Sequence, residues 1–151
     1  MDDWSRVARF GRPSPEHETI IRPSAYALLF DADGKLALAE TPQGLLLLGG
    51  GIDAGEAPEE TVVREAREEV GLVLAVGEWR RHAVETIWSP RELKQFEKRS
   101  VFVDATIAGP SVAPIETDHA LRWLDPGTAM ARLWHESHRW AISQWLGARA
   151  G

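Results

Sequence analysis

The stretch that decides the fold runs from Gly49 to Leu72 and reads GGGIDAGEAPEETVVREAREEVGL. Three consecutive glycines are followed by seven acidic residues within the next twenty positions. Carboxylates this close together repel one another and raise one another's pKa values, so their crowding brings no stability by itself. The stretch therefore predicts a bound cation among these side chains.

The second half of the stretch has the period of a helix that begins at Pro58 and ends at Val70. Proline suits the first helical position, and Gly71 suits the left-handed residue that follows the last turn. Apolar residues recur on one side of this helix, which predicts the face that packs against the protein core. They are Val62, Val63, Ala66 and Val70.

Three glutamates of the same helix, Glu65, Glu68 and Glu69, stand at positions i, i+3 and i+4, so their carboxylates share a face that differs from the apolar one. Hard cations take oxygen ligands, and Mg²⁺ commonly keeps positions open for substrate phosphates. The preceding glycines lack a Cβ and let the backbone approach an ion or a phosphate closely. We therefore expect a Mg²⁺ or Mn²⁺ site here.

The rest of the chain alternates strand and turn patterns. The apolar runs SAYALLF (24–30) and KLALAE (35–40) flank a Gly-ending turn and predict a hairpin. Further strands are expected at 45–48, 73–76, 84–88, 101–107 and 121–124. A last helical region is expected over about 128–146, with one shared side formed by Trp134, His138, Ala141, Ile142 and Trp145.

The spacing within the first stretch resembles a known motif. Gly50 is followed by five residues, then Glu56, then seven residues and the run REAREEVGL (64–72). This arrangement resembles the Nudix box, and all nine specified positions match. The chain is identified as a member of the MutT/Nudix superfamily. The resemblance implies an α/β Nudix fold, a mixed β-sheet sandwiched between α-helices, over residues 21–151 behind an N-terminal arm, 1–20, that is either loose or laid across the domain.

The implied chemistry is metal-dependent hydrolysis of the diphosphate bridge in a small nucleotide-derived substrate. The candidates are ADP-ribose, dinucleoside polyphosphates and nucleoside triphosphates; the alternative is a non-catalytic, nucleotide-binding regulatory module. The family's metal ligands correspond to Glu65, Glu68, Glu69 and the backbone carbonyl of Gly49. Which glutamate acts as general base stays open. Arg64 is expected to orient Glu56 or Glu68.

Other predicted site residues lie outside the motif. An acidic residue just before the closing strand is typical of MutT-like members, which predicts a catalytic role for Glu116, with Asp118 as the main alternative and Glu97 as a weaker one. Three residues after the box are candidates for substrate binding. They are Trp88, as a base-stacking residue, and Lys98 and Arg99, as phosphate contacts. The strand 35–40 ends in Ala39 and Glu40, where triphosphatases often carry an arginine.

Composition limits the partners. The chain has 151 residues, about one domain, and a net charge of −6, which argues against binding of nucleic acid polymers. It contains no cysteine, so disulfides and thiolate zinc sites are excluded. We find no signal peptide and no apolar run as long as a membrane span, and we therefore expect a cytoplasmic protein that does not bind membranes. The sequence leaves monomer and homodimer open.

Overall fold

The computed structural model describes residues 3–150. Within this range the chain forms seven strands and three helices: β1 Ala8–Phe10, β2 Thr19–Leu29, β3 Leu36–Thr41, β4 Gly44–Gly51, α1 Pro58–Val70, β5 Leu74–Ser89, β6 Lys94–Ile107, β7 Ala120–Leu124, α2 Pro126–Arg132 and α3 Glu136–Ala150. The strands make one mixed sheet in the order β1-β5-β6-β2-β4-β3-β7. None of the helices in the described part of the chain is both long and apolar enough to span a membrane.

Helices cover both faces of the sheet. On one face α1 buries Val62 and Ala66 against alternate residues of β2, β3 and β6. On the other face α3 buries Ala141 and Ile142 against the intervening residues of the same strands. Because successive strand residues point to opposite faces, each strand contributes to both cores. The predicted α/β sandwich is confirmed.

The bounds of α1 agree with those expected from the sequence. Pro58 occupies the first turn, and the backbone N–H of Gly71 donates to the Arg67 carbonyl. Gly71 has φ 72°, a left-handed conformation that ends the helix with little strain because glycine lacks a Cβ. The signals that set both ends are local, which explains why the sequence was sufficient here.

The predicted hairpin of 24–30 with 35–40 is wrong. The turn itself forms, since the Asp31 N–H donates to the Lys35 carbonyl and Phe30 makes one isolated bridge to Leu36. Beyond that bridge the two strands separate, because β4 pairs with both of them and lies between them. The strands predicted at 73–76 and 84–88 are parts of the single 16-residue strand β5, which is irregular between Val76 and Arg80.

The predicted helix over 128–146 is divided in two. Leu133 has extended backbone angles and bridges Leu45, which ends α2. A new helix then begins where the buried carboxylate of Glu85 accepts hydrogen bonds from the N–H groups of Glu136 and Ser137. Trp134 therefore lies outside the helix and is 53% exposed, rather than on the buried side with His138 and Ile142.

The described part of the N-terminal segment joins the sheet through β1, its edge strand; residues 1 and 2 are outside the described range. Strand β1 pairs in parallel with β5, and Trp4 packs against the core beneath α1. Farther along, the side chain of Gln95 accepts a hydrogen bond from the Ser14 N–H (2.7 Å) and donates one to its carbonyl. Strand β2 already begins at Thr19, two residues before the expected start of the domain.

Candidate active site

The glycines Gly49 to Gly51 belong to strand β4, which pairs here with β2 and faces α1. Gly49 has φ 146°, and a Cβ added to it would lie 2.1 Å from the Ala25 carbonyl oxygen. A Cβ on Gly50 would lie 2.8 Å from the Glu65 carboxyl carbon. The absence of side chains therefore lets β4 approach the carboxylates of α1 at van der Waals distance.

Three carboxylates converge beside these glycines. Ligand oxygens of Glu65, Glu68 and Glu116 all lie within 4.8 Å of one another. Glu116 comes from the loop before β7, and this loop is fixed to α1 because the N–H groups of Ile115 and Glu116 both donate to the Glu68 carbonyl at 2.9 Å. The structure thus brings the predicted loop carboxylate to two of the predicted helix carboxylates.

The third helix carboxylate, Glu69, lies deeper, with 4% of the residue exposed. It accepts a hydrogen bond of 3.0 Å from the backbone N–H of Gly49. Burial, with the nearby charges of Glu65 and Glu116, raises the pKa of Glu69 to about 9. Burial also raises the pKa of Glu65. Both shifts express the cost of holding negative charges together where little water reaches them.

Arg64 hydrogen-bonds three carboxylates of the site from the side of the helix. Its Nε and Nη2 atoms donate to the two carboxylate oxygens of Glu56 at 2.7 and 2.9 Å. Its Nη1 donates to Glu65 (3.1 Å) and Glu68 (3.2 Å). The hydrogen bonds from Arg64 and from the Thr61 hydroxyl lower the pKa of Glu56 to about 2. These contacts are the ones expected of a residue that orients carboxylates.

The donor set fits a hard divalent cation. Glu65, Glu68 and Glu116 are all carboxylates, with no thiolate in the sequence, and oxygen donors of this kind suit Mg²⁺ and Mn²⁺. A second group of possible ligands, formed by Glu116, Asp118 and His119, adjoins them. The close approach at Gly50 keeps one side of the cluster free of side chains. Glu65, Glu68 and Glu116 are thus placed to share one ion, with Glu69 directly behind them.

One residue of the cluster, His119, was missed in the sequence. Its Nδ1 lies 3.0 Å from a Glu116 oxygen and 2.8 Å from an Asp118 oxygen, and its Nε2 lies 3.8 Å from Glu69. The Asp118 side chain is 62% exposed and lies at the outer edge. The only signal in the sequence was that the histidine closely follows two acidic residues, which does not show that the loop meets α1.

The three predicted substrate-binding residues are not brought together. Arg99 lies on the α1 face, 2.7 Å from the carboxylate of Glu97, which is thereby engaged away from the cluster. Lys98, its neighbour, points to the α3 face, where its buried ammonium donates to the Tyr26 hydroxyl at 2.6 Å. Trp88 is 40% exposed and packs on His17 with ring centroids 4.4 Å apart. It pairs with Gln95, about 13 Å along the strand from Arg99.

A family model described as the NUDIX domain matches residues 20–146. The search of curated proteins found no match. Among solved structures, the MutT protein of Methanosarcina mazei Go1 is 17% identical, with a TM-score of 0.65 over 89% of this chain and 99% of that one.

Two further solved structures are of proteins named for their substrates. An ADP-ribose pyrophosphatase from Streptococcus suis is 21% identical, with a TM-score of 0.52 over 70% of this chain and 75% of that chain. The Ap4A hydrolase of C. elegans is 16% identical, with a TM-score of 0.60 over 87% of this chain and 100% of that one. At these identities the likeness shows the shared fold alone.

Proposed function

The chain belongs to the NUDIX domain family and is a Nudix hydrolase, and we propose that it uses Mg²⁺ or Mn²⁺ to cleave the diphosphate bridge of a small nucleoside diphosphate derivative. The observation that supports this most is the convergence of Glu65 and Glu68 with Glu116 beside the glycine strand. These carboxylates come from two separate segments, so a solvated acidic helix does not account for their meeting.

In this proposal Glu65, Glu68, Glu69 and the backbone carbonyl of Gly49 would hold the divalent cation, and Glu116 adds its negative charge to the same site from the loop. When bound, the cation neutralises phosphate oxygens and makes water a stronger nucleophile. Arg64 keeps Glu65 and Glu68 in place through the contacts described above, and it carries none of the chemistry itself.

A carboxylate must also accept the proton of the attacking water. We assign this role to Glu116, which approaches from the loop and not from the helix, so it reaches the cluster from a second direction. Such a base would accept the proton of a water that attacks phosphorus from the loop side of the cluster. Glu68 is the alternative proton acceptor, because its carboxylate belongs to the same group of oxygens.

For the substrate we propose ADP-ribose or a dinucleoside polyphosphate ahead of a nucleoside triphosphate. Glu40 supports this order, since a carboxylate stands at the place in the strand where triphosphatases often carry an arginine, and it occupies Arg122 (2.6 Å) and Arg132 (3.5 Å) in ion pairs. Arg99 on the α1 face is the proposed phosphate contact. Trp88 and Lys98 remain predicted substrate contacts. Trp88 lies farther along the strand from Arg99, and Lys98 lies on the α3 face of the sheet.

The deciding experiment is a panel of nucleoside diphosphate derivatives incubated with Mg²⁺ and, in parallel, with EDTA. We expect release of a nucleoside monophosphate that depends on the metal and is greatest for one substrate class. Binding of nucleotides without turnover across the whole panel would contradict the proposal and favour a regulatory module.

A further inference from the structure

A single imidazole, that of His119, lies between carboxylates supplied by two different elements. Its Nδ1 faces Glu116 on the loop, and its Nε2 is directed towards Glu69 on α1. The His119 side chain is only 16% exposed, so it is held between the loop and the helix and does not extend into solvent. Nothing in the motif that carries the cation-binding glutamates requires this contact.

The position of His119 complements that of Arg64. Arg64 hydrogen-bonds Glu65 and Glu68 from the helix side, but it makes no contact with Glu116 among the described residues. Glu116 is fixed through its backbone N–H, which donates to the Glu68 carbonyl, yet that bond leaves the side chain free to rotate. The Nδ1 atom of the imidazole hydrogen-bonds Asp118 at 2.8 Å and also contacts the Glu116 carboxylate at 3.0 Å, and this second, close polar contact restrains the carboxylate.

We propose that His119 is a positioning residue that holds the Glu116 carboxylate towards Glu65 and Glu68, so that the loop and the helix present one preformed cation site. This inference rests on the proposed function of that site. A carboxylate free to rotate would have to be ordered when the cation binds, and that ordering costs affinity. A donor already in place removes this cost.

The geometry specifies which ring nitrogen matters. The contacts to Glu116 and Asp118 are both made by Nδ1, at 3.0 and 2.8 Å, whereas Nε2 lies 3.8 Å from its nearest carboxylate, beyond hydrogen-bonding range. The amide nitrogen of asparagine can occupy the place of Nδ1, while that of glutamine reaches the place of Nε2. His119→Asn should therefore preserve the restraint on Glu116, and His119→Gln should lose it.

The test measures binding of Mn²⁺ alone by titration calorimetry or by the EPR signal of the free ion, with no substrate present. We expect His119→Ala and His119→Gln to weaken Mn²⁺ binding about 10-fold, the lower end of the range found when residues behind metal ligands are removed. His119→Asn should stay within about threefold of the wild type. Thr117→Ala, an exposed position in the same loop, is the matched control, and thermal melts establish that each variant is folded.

A double-mutant cycle separates positioning from direct ligation. In Glu116→Gln, which itself should weaken Mn²⁺ binding, adding His119→Ala should cause no further loss, because the restraint has nothing left to hold. The inference would be overturned if the two losses were additive, or if Mn²⁺ binding were restored by His119→Gln and not by His119→Asn. It would also be overturned by unchanged or tighter Mn²⁺ binding in His119→Ala, or by normal Mn²⁺ binding in Glu116→Gln. Because the readout is binding, it tests His119 even if the substrate panel shows no turnover.

Discussion

The backbone N–H of Gly49 donates a 3.0 Å hydrogen bond to the buried carboxylate of Glu69. This contact joins the glycine strand β4 to helix α1, so the two elements that supply the proposed cation ligands are fixed relative to each other. It also distinguishes Glu69 from Glu65 and Glu68, whose carboxylates are oriented by Arg64.

Replacing Glu69 with Gln should lower turnover by at least about 100-fold, because glutamine keeps the size of the side chain but removes a charge that we assign to the cation. Stability without metal should hold or improve, since the raised pKa of Glu69 keeps it protonated at neutral pH and glutamine removes a group whose ionisation the fold disfavours. Steady-state kinetics at saturating Mg²⁺ and melts in EDTA measure both effects. A variant that unfolds, yet has normal specific activity in its folded fraction, would make Glu69 a purely structural residue.

The metal-free protein should lose stability as pH rises from about 5 to 9. The pKa of Glu69 is raised to about 9 by burial, above its usual 4.5, so folding favours the protonated form and this contribution is lost as the pH passes upward through the window. The loss is at most about 1.4 kcal/mol per pH unit, or roughly 3 to 6 °C in Tm. Melts in EDTA at pH 6 and 8 should show a smaller decrease in Glu69→Gln than in the wild type; equal decreases would assign the effect to other groups.

Gly50→Ala should impair the site with little effect on the fold. Its Cβ would lie 2.8 Å from the carboxyl carbon of Glu65, which would have to move, and displacements of about 1 Å can cost 100-fold in rate. Gly51→Ala is the matched control, since its Cβ would lie 4.0 Å from the nearest atom. We expect kcat/KM to fall about 10- to 100-fold in the first variant only. Similar activities in the two variants would show that Glu65 tolerates displacement.

Arg64→Lys should lower kcat/KM about 10- to 100-fold although the charge is kept. Lysine cannot reproduce the planar fork that binds Glu56 through two nitrogens while reaching Glu65 and Glu68 with a third. Arg67→Lys, exposed on the same helix, should retain full activity. If both lysine variants were equally active, charge alone would suffice and the positioning role of Arg64 would be lost.

At saturating Mg²⁺, Glu116→Gln should depress kcat well beyond any change in the KM for substrate, because the proposed proton acceptor acts in the chemical step and not in substrate binding. Asp118→Asn should have a much smaller effect, as that side chain is 62% exposed at the edge of the cluster. Normal turnover in Glu116→Gln together with a collapse in Asp118→Asn would transfer the role to Asp118. Normal turnover in both variants would remove the loop from the mechanism.

The sequence predicted the parts of the structure that local signals determine. The ends of α1 and the shared face of its glutamates depend on residues within a few positions of each other. The pairing of β2 with β4 and β6 does not, and so the expected hairpin with β3 was wrong. The start of α3 was missed for the same reason, since Glu85, which caps it, belongs to a distant strand.

The candidate site shows the same division. The helix carboxylates could be named from their spacing, and Glu116 from its place before the closing strand. Strand alternation separates Lys98 from Arg99, but only the observed register shows that Lys98 faces α3 and is engaged with Tyr26. His119 could not be predicted, because its contact depends on how the loop packs against α1 and no local sequence pattern indicates that packing.

The two hydrogen bonds that fix the loop to the Glu68 carbonyl also have a consequence for how the cation relates to folding. They close the chain between residues 68 and 116, a segment that contains β5 and β6, the two longest strands. A partly folded chain therefore lacks Glu116 at the site, and we expect the ion to bind most tightly once these strands are in place. At ten times its dissociation constant the ion would add about 1.4 kcal/mol to the stability of the whole domain. The cellular concentration of free Mg²⁺ would then help to set the lifetime of the protein as well as its rate of turnover.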